Sequence, residues 1–149
     1  MRIYLDNRCL NRPFDDLTDN TVRMECEAIL SIIDSCGDGE WFFFSSDVLL
    51  DEIMETSNNV KREKVMLLYN AAGAHINFSE AIYTRALELE RFSIKSYDAL
   101  HIASAEAANA DVFLTTDRRL INSAMKAKIS IPVRNPLVWL TEVLYDRKP

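Results

Sequence analysis

Trp41-Phe42-Phe43-Phe44 sets four large apolar side chains in succession. Neighbours on an extended strand point to opposite faces, so this run is apolar on both sides and needs cover on both. It is strand-sized, and no apolar run in the chain reaches the length of a membrane span. Such a strand belongs inside a sheet with helices packed on each face. Other short apolar runs repeat the theme: Ile3-Tyr4-Leu5, His75-Ile76-Asn77-Phe78, Asp111-Val112-Phe113-Leu114 and Ile129-Ser130-Ile131, the last stopped by Pro132.

Helical patterns alternate with these runs. Val22, Ala28, Ile29, Ile32 and Ile33 lie near helical spacing, ended by Gly37 and Gly39. Ser45 or Ser46 caps a helix carrying Val48, Leu49, Glu52 and Ile53, and Val60 to Ala72 forms another, ended by Gly73. Ser79 opens a helix to about Arg91, and Ser96 caps an alanine-rich one from Tyr97 to Ala110. Asp117 to about Lys126 is helical, and Asn135-Pro136 opens the last helix. The Asn7–Asn20 segment is polar and rich in turn residues, and is expected to be a long loop covering the site or binding a partner. The pattern predicts an α/β fold with a mainly parallel sheet of about five strands. With 149 residues and neither repeat nor linker, one domain spanning 1–149 is expected.

The net charge of −6 argues against a general nucleic-acid coat protein, but it is unevenly spread. Residues 1–55 hold 4 basic and 13 acidic side chains, a net −9; residues 56–149 hold 13 and 10, a net +3. An acidic pocket rimmed by cations fits that division. Cys9, Cys26 and Cys36 are odd in number and lack a C-x-x-C pair, which argues against a disulfide framework or a zinc site. Met1 to Asp6 meets an acid too early for a secretion signal, so a cytoplasmic protein with reduced thiols is expected.

In open α/β sheets, ligands bind beyond the carboxyl ends of the strands. Asp6 follows the first strand, Asp117 follows the fourth, and Asp98 lies in the first turn of a helix. Glu52, about two turns into its helix, reaches the same edge if that helix leans over it. Converging carboxylates repel one another unless a cation lies between them. Hard oxygen ligands without His or Cys suit Mg²⁺ or Mn²⁺, and such an ion can activate water and neutralise a phosphodiester. Taken singly, Asp98 and Asp117 also suit a helix N-terminus, where acids are ordinary. His101 shares the Asp98 face but reads more simply as a packed histidine. Arg8, Arg12, Arg118 and Arg119, with Lys95, flank the acids and are candidates for holding phosphate groups; each also fits a salt-bridged surface.

Tyr4-Leu5-Asp6-Asn7, the stretch from Ser46 to Glu52-Ile53, Asp98-Ala99-Leu100-His101 and Phe113-Leu114-Thr115-Thr116-Asp117 together resemble the PIN-domain family, in particular the VapC-type toxin ribonucleases and their prokaryotic relatives. The resemblance runs from Ile3 to about Lys126, and its most specific pieces place Asp98 and Asp117 19 residues apart. It implies a three-layer α/β/α sandwich and a divalent-metal-dependent ribonuclease. It also implies Asp6, Glu52, Asp98 and Asp117 as catalytic and metal-holding acids, supported by Asn7 and Thr115. RNA would be the substrate, a small antitoxin protein a possible partner, and a homodimer the expected assembly, with no membrane attachment. Arg118 departs from the pattern, since relatives often carry an acid directly after the last Asp. A catalytically silent protein-binding module of the same fold is the alternative. A phosphoacceptor receiver domain fits less well, because neither adjacent acids after the first strand nor a lysine at the last strand's exit is present.

Overall fold

Ile3, Tyr4 and Leu5 are all fully buried in the computed structural model, which describes residues 1–146. They form β1 (Arg2–Leu5), the central strand of a five-stranded, wholly parallel sheet. Along the chain follow α1 (Asn7–Asn11), a 3₁₀ turn (Arg12–Phe14), α2 (Asn20–Gly37), β2 (Phe42–Ser46), α3 (Asp47–Met54), α4 (Asn59–Tyr69) and β3 (Ala74–Ile76). Then come α5 (Glu80–Glu90), α6 (Ser96–Ala107), β4 (Val112–Leu114), α7 (Arg118–Lys126), β5 (Val133–Arg134) and α8 (Pro136–Asp146). The strand order is β3-β2-β1-β4-β5.

Alternation along each strand divides the interior in two. Ile3, Leu5, Phe43, Val112 and Leu114 face one core, closed by Leu10 of α1, Ile29 and Ile32 of α2, Ile53 of α3, Val65 of α4 and Trp139 of α8. Tyr4, Phe44, Ile76, Phe113 and Val133 face the other, closed by α5, α6 and α7 through Leu89, Ile102 and Leu120. The result is the α/β/α sandwich. The chain leaves β1 towards β2 on one side and returns at β4 on the other, so the order reverses between β1 and β4. A crevice is expected at that point, beyond the strand ends.

Four local expectations differ. The Asn7–Asn20 segment is not a long loop: α1 starts directly after β1, because the Asp6 carboxylate accepts the Cys9 amide and caps it. Helix α6 begins at Ser96 itself, after an N-cap at Lys95 that makes no side-chain cap bond, and ends at Ala107 rather than Ala110. The fifth strand is Val133–Arg134, after Pro132 and not before it; the Pro132 carbonyl accepts from the Phe113 amide. Residues 129–131 are held instead by α6, where Glu106 Oε2 accepts the Ser130 amide at 2.9 Å and its hydroxyl at 3.0 Å. Gly73 does not end a helix; α4 stops at Tyr69 with Asn70 as its C-cap, and Gly73 lies against Phe42.

Candidate active site

Asp6 leaves β1 at the reversal of strand order, with its amide donating to Leu114 O of β4 at 3.2 Å. Its side chain is 1% exposed. Oδ1 accepts the Cys9 amide at 3.0 Å, and Oδ2 points to the Arg8 guanidinium at 3.2 Å. Asp98, buried in the first turn of α6, brings both oxygens to the same guanidinium: Oδ1 to Nη1 at 2.9 Å and Oδ2 to Nη2 at 3.2 Å. Asp117 caps α7, Oδ1 accepting the Arg119 and Leu120 amides, and its Oδ2 lies 3.1 Å from Arg8 Nη2. Thr115, fully buried, accepts the Asp117 amide through its hydroxyl at 3.1 Å. Thus three carboxylates from three separate stretches of chain meet around one position, and the Arg8 guanidinium stands in it.

Burial pushes the Asp6 carboxyl up from its ordinary range, opposed by the Thr115 hydroxyl, Arg8 and the Cys9 amide. Partial burial works against the charge on Arg8, but its Asp98 bond and the Asp6 and Asp117 charges outweigh this and hold its pKa above the ordinary value.

Glu52 forms a second group with its own partners. Its Oε1 accepts from His101 Nε2 at 2.8 Å, while the carboxylate stays partly open to solvent. The other ring nitrogen, Nδ1, lies 2.6 Å from the Tyr4 hydroxyl, which lies 2.8 Å from Ser46 Oγ. Ser46 Oγ accepts the Leu49 amide as the cap of α3. One assignment of protons satisfies every member. Leu49 N–H donates to Ser46, Ser46 to Tyr4, Tyr4 to Nδ1, and the Nε2 proton to Glu52. Burial holds the Tyr4 hydroxyl neutral, far above its ordinary pKa, so it remains a donor. Tyr4, in the sequence only part of an apolar strand two residues before Asp6, is a functional link in the structure. His101, which read as packing, is fully buried and is the link that orients Glu52.

The expected cations take different places. Arg8 lies on the carboxylates. Arg12 is clamped between Asp15, at 3.0 Å, and Glu25, at 3.1 Å. Arg118 and Arg119 are exposed, and neither is in an ion pair among the described residues. Asn7 holds Asn11, its carbonyl and Oδ1 both accepting from Nδ2 at 2.8 Å. An open cavity of about 490 Å³ adjoins the acids, lined by Asn7, Arg8, Arg12, Lys61 and Asp117 among others. A second, on the other side of Asp98 and Asp117, is lined by Lys95 and Arg119.

Three hard carboxylates around one cation position suit Mg²⁺ or Mn²⁺ in chemistry. A buried carboxylate such as Asp6 requires a counter-charge. In this arrangement Arg8 supplies it, and among the described residues no set of three or more His, Cys, Asp or Glu side chains is disposed to hold a metal ion as it stands.

The fold has solved counterparts. A chain of the crystal structure of VapBC2 from Rickettsia felis bound to a DNA fragment from their promoter matches at a TM-score of 0.59 and 16% identity, over 91% of this chain and 98% of that one. A chain of VapBC-1 from nontypeable Haemophilus influenzae matches at 0.56 and 14%, over the same shares. At such identities the likeness establishes the shared fold. No sequence among curated proteins matches this chain. The PIN domain family model matches residues 18–125, starting after Asp6 and Arg8 but spanning Glu52, Asp98 and Asp117. With most of its length matched by that model, the chain belongs to the PIN domain family.

Proposed function

We propose that this protein is a divalent-metal-dependent endoribonuclease that hydrolyses RNA phosphodiester bonds. PIN domains are generally nucleases, and the observation that carries the reading is the meeting of Asp6, Asp98 and Asp117 around one cation position at the reversal of strand order. Mg²⁺ or Mn²⁺ held there would supply Lewis-acid charge and an activated water. Asp6, Asp98 and Asp117 hold the ion. Glu52, oriented by His101, completes the pocket as ligand or base, and Thr115 fixes the Asp117 backbone. Arg118 and Arg119 grip RNA phosphates beside it, while Arg12 is engaged by Asp15 and Glu25. The likeness to VapBC structures supports an antitoxin partner. A homodimer of single-domain chains in the cytoplasm completes the reading, the dimer by resemblance to the family and the compartment from the sequence. No helix among the described residues is long and apolar enough to cross a membrane.

End-labelled RNA incubated with highly purified protein tests the reading. Cleavage is expected with Mg²⁺ or Mn²⁺, to be lost with EDTA and in Asp98→Asn. Cleavage that persists unchanged in Asp98→Asn would belong to a contaminant and remove the support. The second reading is a catalytically silent PIN-fold binding module. It is favoured by one observation: Arg8 already neutralises part of the carboxylate charge. RNA left intact under every metal condition, by protein that still binds a partner, would favour it.

A further inference from the structure

Arg8 is where its own chain would compete with an ion. It lies two residues after Asp6, at the start of α1, so the segment that brings the first carboxylate also brings the guanidinium. Nη1 is shared between Asp6 and Asp98, and Nη2 between Asp98 and Asp117. A planar fork suits paired carboxylates, and this one engages three. It fills the space between them, so the guanidinium and a metal ion cannot occupy it together. Yet Arg8 is not locked in. Its side chain is 38% exposed and borders the 490 Å³ cavity, so it can leave by rotating its own bonds while the backbone stays in place. On that side Arg12 and Lys61 are each paired to Asp15, so a lone guanidinium moving there finds that carboxylate already engaged. A phosphate in the cavity gives Arg8 a new partner of its own.

We propose that Arg8 is an internal stand-in for the metal ion, exchanging its three carboxylates for an RNA phosphate as the ion enters. The inference rests on the ribonuclease reading above and deepens it. It makes ion and RNA binding positively coupled, each raising the other's affinity by the same factor. Where the Arg8-out state is a tenth of the population or less, apparent metal affinity without RNA is reduced about tenfold or more.

Mn²⁺ binding, measured by electron paramagnetic resonance with and without a short 2′-O-methyl oligouridylate that cannot be cleaved, tests this without any turnover. In wild type, Mn²⁺ binding should tighten roughly tenfold when the oligonucleotide is added. Arg8→Met should bind Mn²⁺ at least about tenfold more tightly than wild type without RNA, with the RNA effect mostly gone. Arg8→Lys keeps the charge, guards against a folding defect in the methionine variant, and should stay close to wild type without RNA. Equal Mn²⁺ affinity in folded wild type, Arg8→Met and Arg8→Lys would overturn the exchange while leaving the metal site intact. Absence of Mn²⁺ binding in all three would overturn the metal reading and the exchange with it.

Discussion

His101 Nε2 donates to Glu52 Oε1 at 2.8 Å, and this bond gives the acid on α3 a fixed place relative to α6. The two residues are 49 apart in sequence. Glu52 therefore inherits its position from a buried ring that Tyr4 and Ser46 hold in turn. Tyr4→Phe tests the relay. It leaves the Ser46 hydroxyl and His101 Nδ1 without their partner, at a cost of about 1–3 kcal/mol. The urea midpoint should fall accordingly, and cleavage should slow more than RNA affinity weakens. An unchanged midpoint would show that the hydroxyl contributes nothing to the relay.

Asp6→Asn should separate function from stability. The buried carboxylate is expensive to ionise, and asparagine keeps an oxygen to cap α1. Stability at neutral pH should hold within about 1 kcal/mol of wild type, while cleavage is lost. A larger drop in the urea midpoint would make Asp6 mainly a structural partner of Arg8.

Glu106 provides the pH dependence. Burial works against its ionisation, but Arg85 and the Ser130 amide and hydroxyl outweigh that and hold its pKa below the ordinary 4.5. A depressed carboxylate pKa adds stability that is present above the unfolded value and disappears as the pH falls through the folded one. Glu106→Gln should therefore reduce stability at pH 7 and flatten the loss of stability below about pH 4.5. Parallel acid profiles for the two proteins would contradict this. The same substitution should loosen residues 129–131, read as faster amide exchange at Ser130.

Gly73 has no room for a side chain. A Cβ there would stand 2.8 Å from Phe42 Cβ, part of the side-chain stem on β2. Gly73→Ala should cost about 1–3 kcal/mol through overpacking at the β2–β3 edge. Thermal unfolding reads this directly, and an unshifted Tm would mean that the edge yields freely.

Arg118 and Arg119 should carry RNA affinity without carrying chemistry. In Ca²⁺, over a salt series, wild-type affinity should fall steeply, and replacing both by Ala should flatten the slope by about 2. Cleavage at saturating RNA should change little. An unchanged slope would place the RNA path elsewhere, along Lys61, Arg62 and Lys64.

The sandwich was legible because its signals are local. Trp41 to Phe44 needs cover on both faces, and Ser46, Ser79 and Asn135 each sit where a helix begins and do cap it. The errors fell where a distant group overrides local pattern. Ile129-Ser130-Ile131 has the look of a strand, but the carboxylate of Glu106 takes its backbone amide before a neighbouring strand can. The site's acids were visible as strand exits and helix starts. Arg8 was visible only as a cation nearby, because nothing in a linear sequence tells that Asp98 and Asp117, about a hundred residues later, fold back onto it. The Tyr4–His101 link was hidden for the same reason.

Asp6 and Asp117 are 111 residues apart, yet the amide of one lies against β4, which delivers the other. A ribosome adding roughly 5–20 residues per second makes the second aspartate on the order of 5–20 s after the first. For most of that interval the growing chain holds Asp6 and Arg8 without either of the two later aspartates. Chains broken off before β4 therefore lack Asp117 and the strand that delivers it. Whatever activity needs all three aspartates is withheld from such fragments, a built-in delay for the cell that makes it.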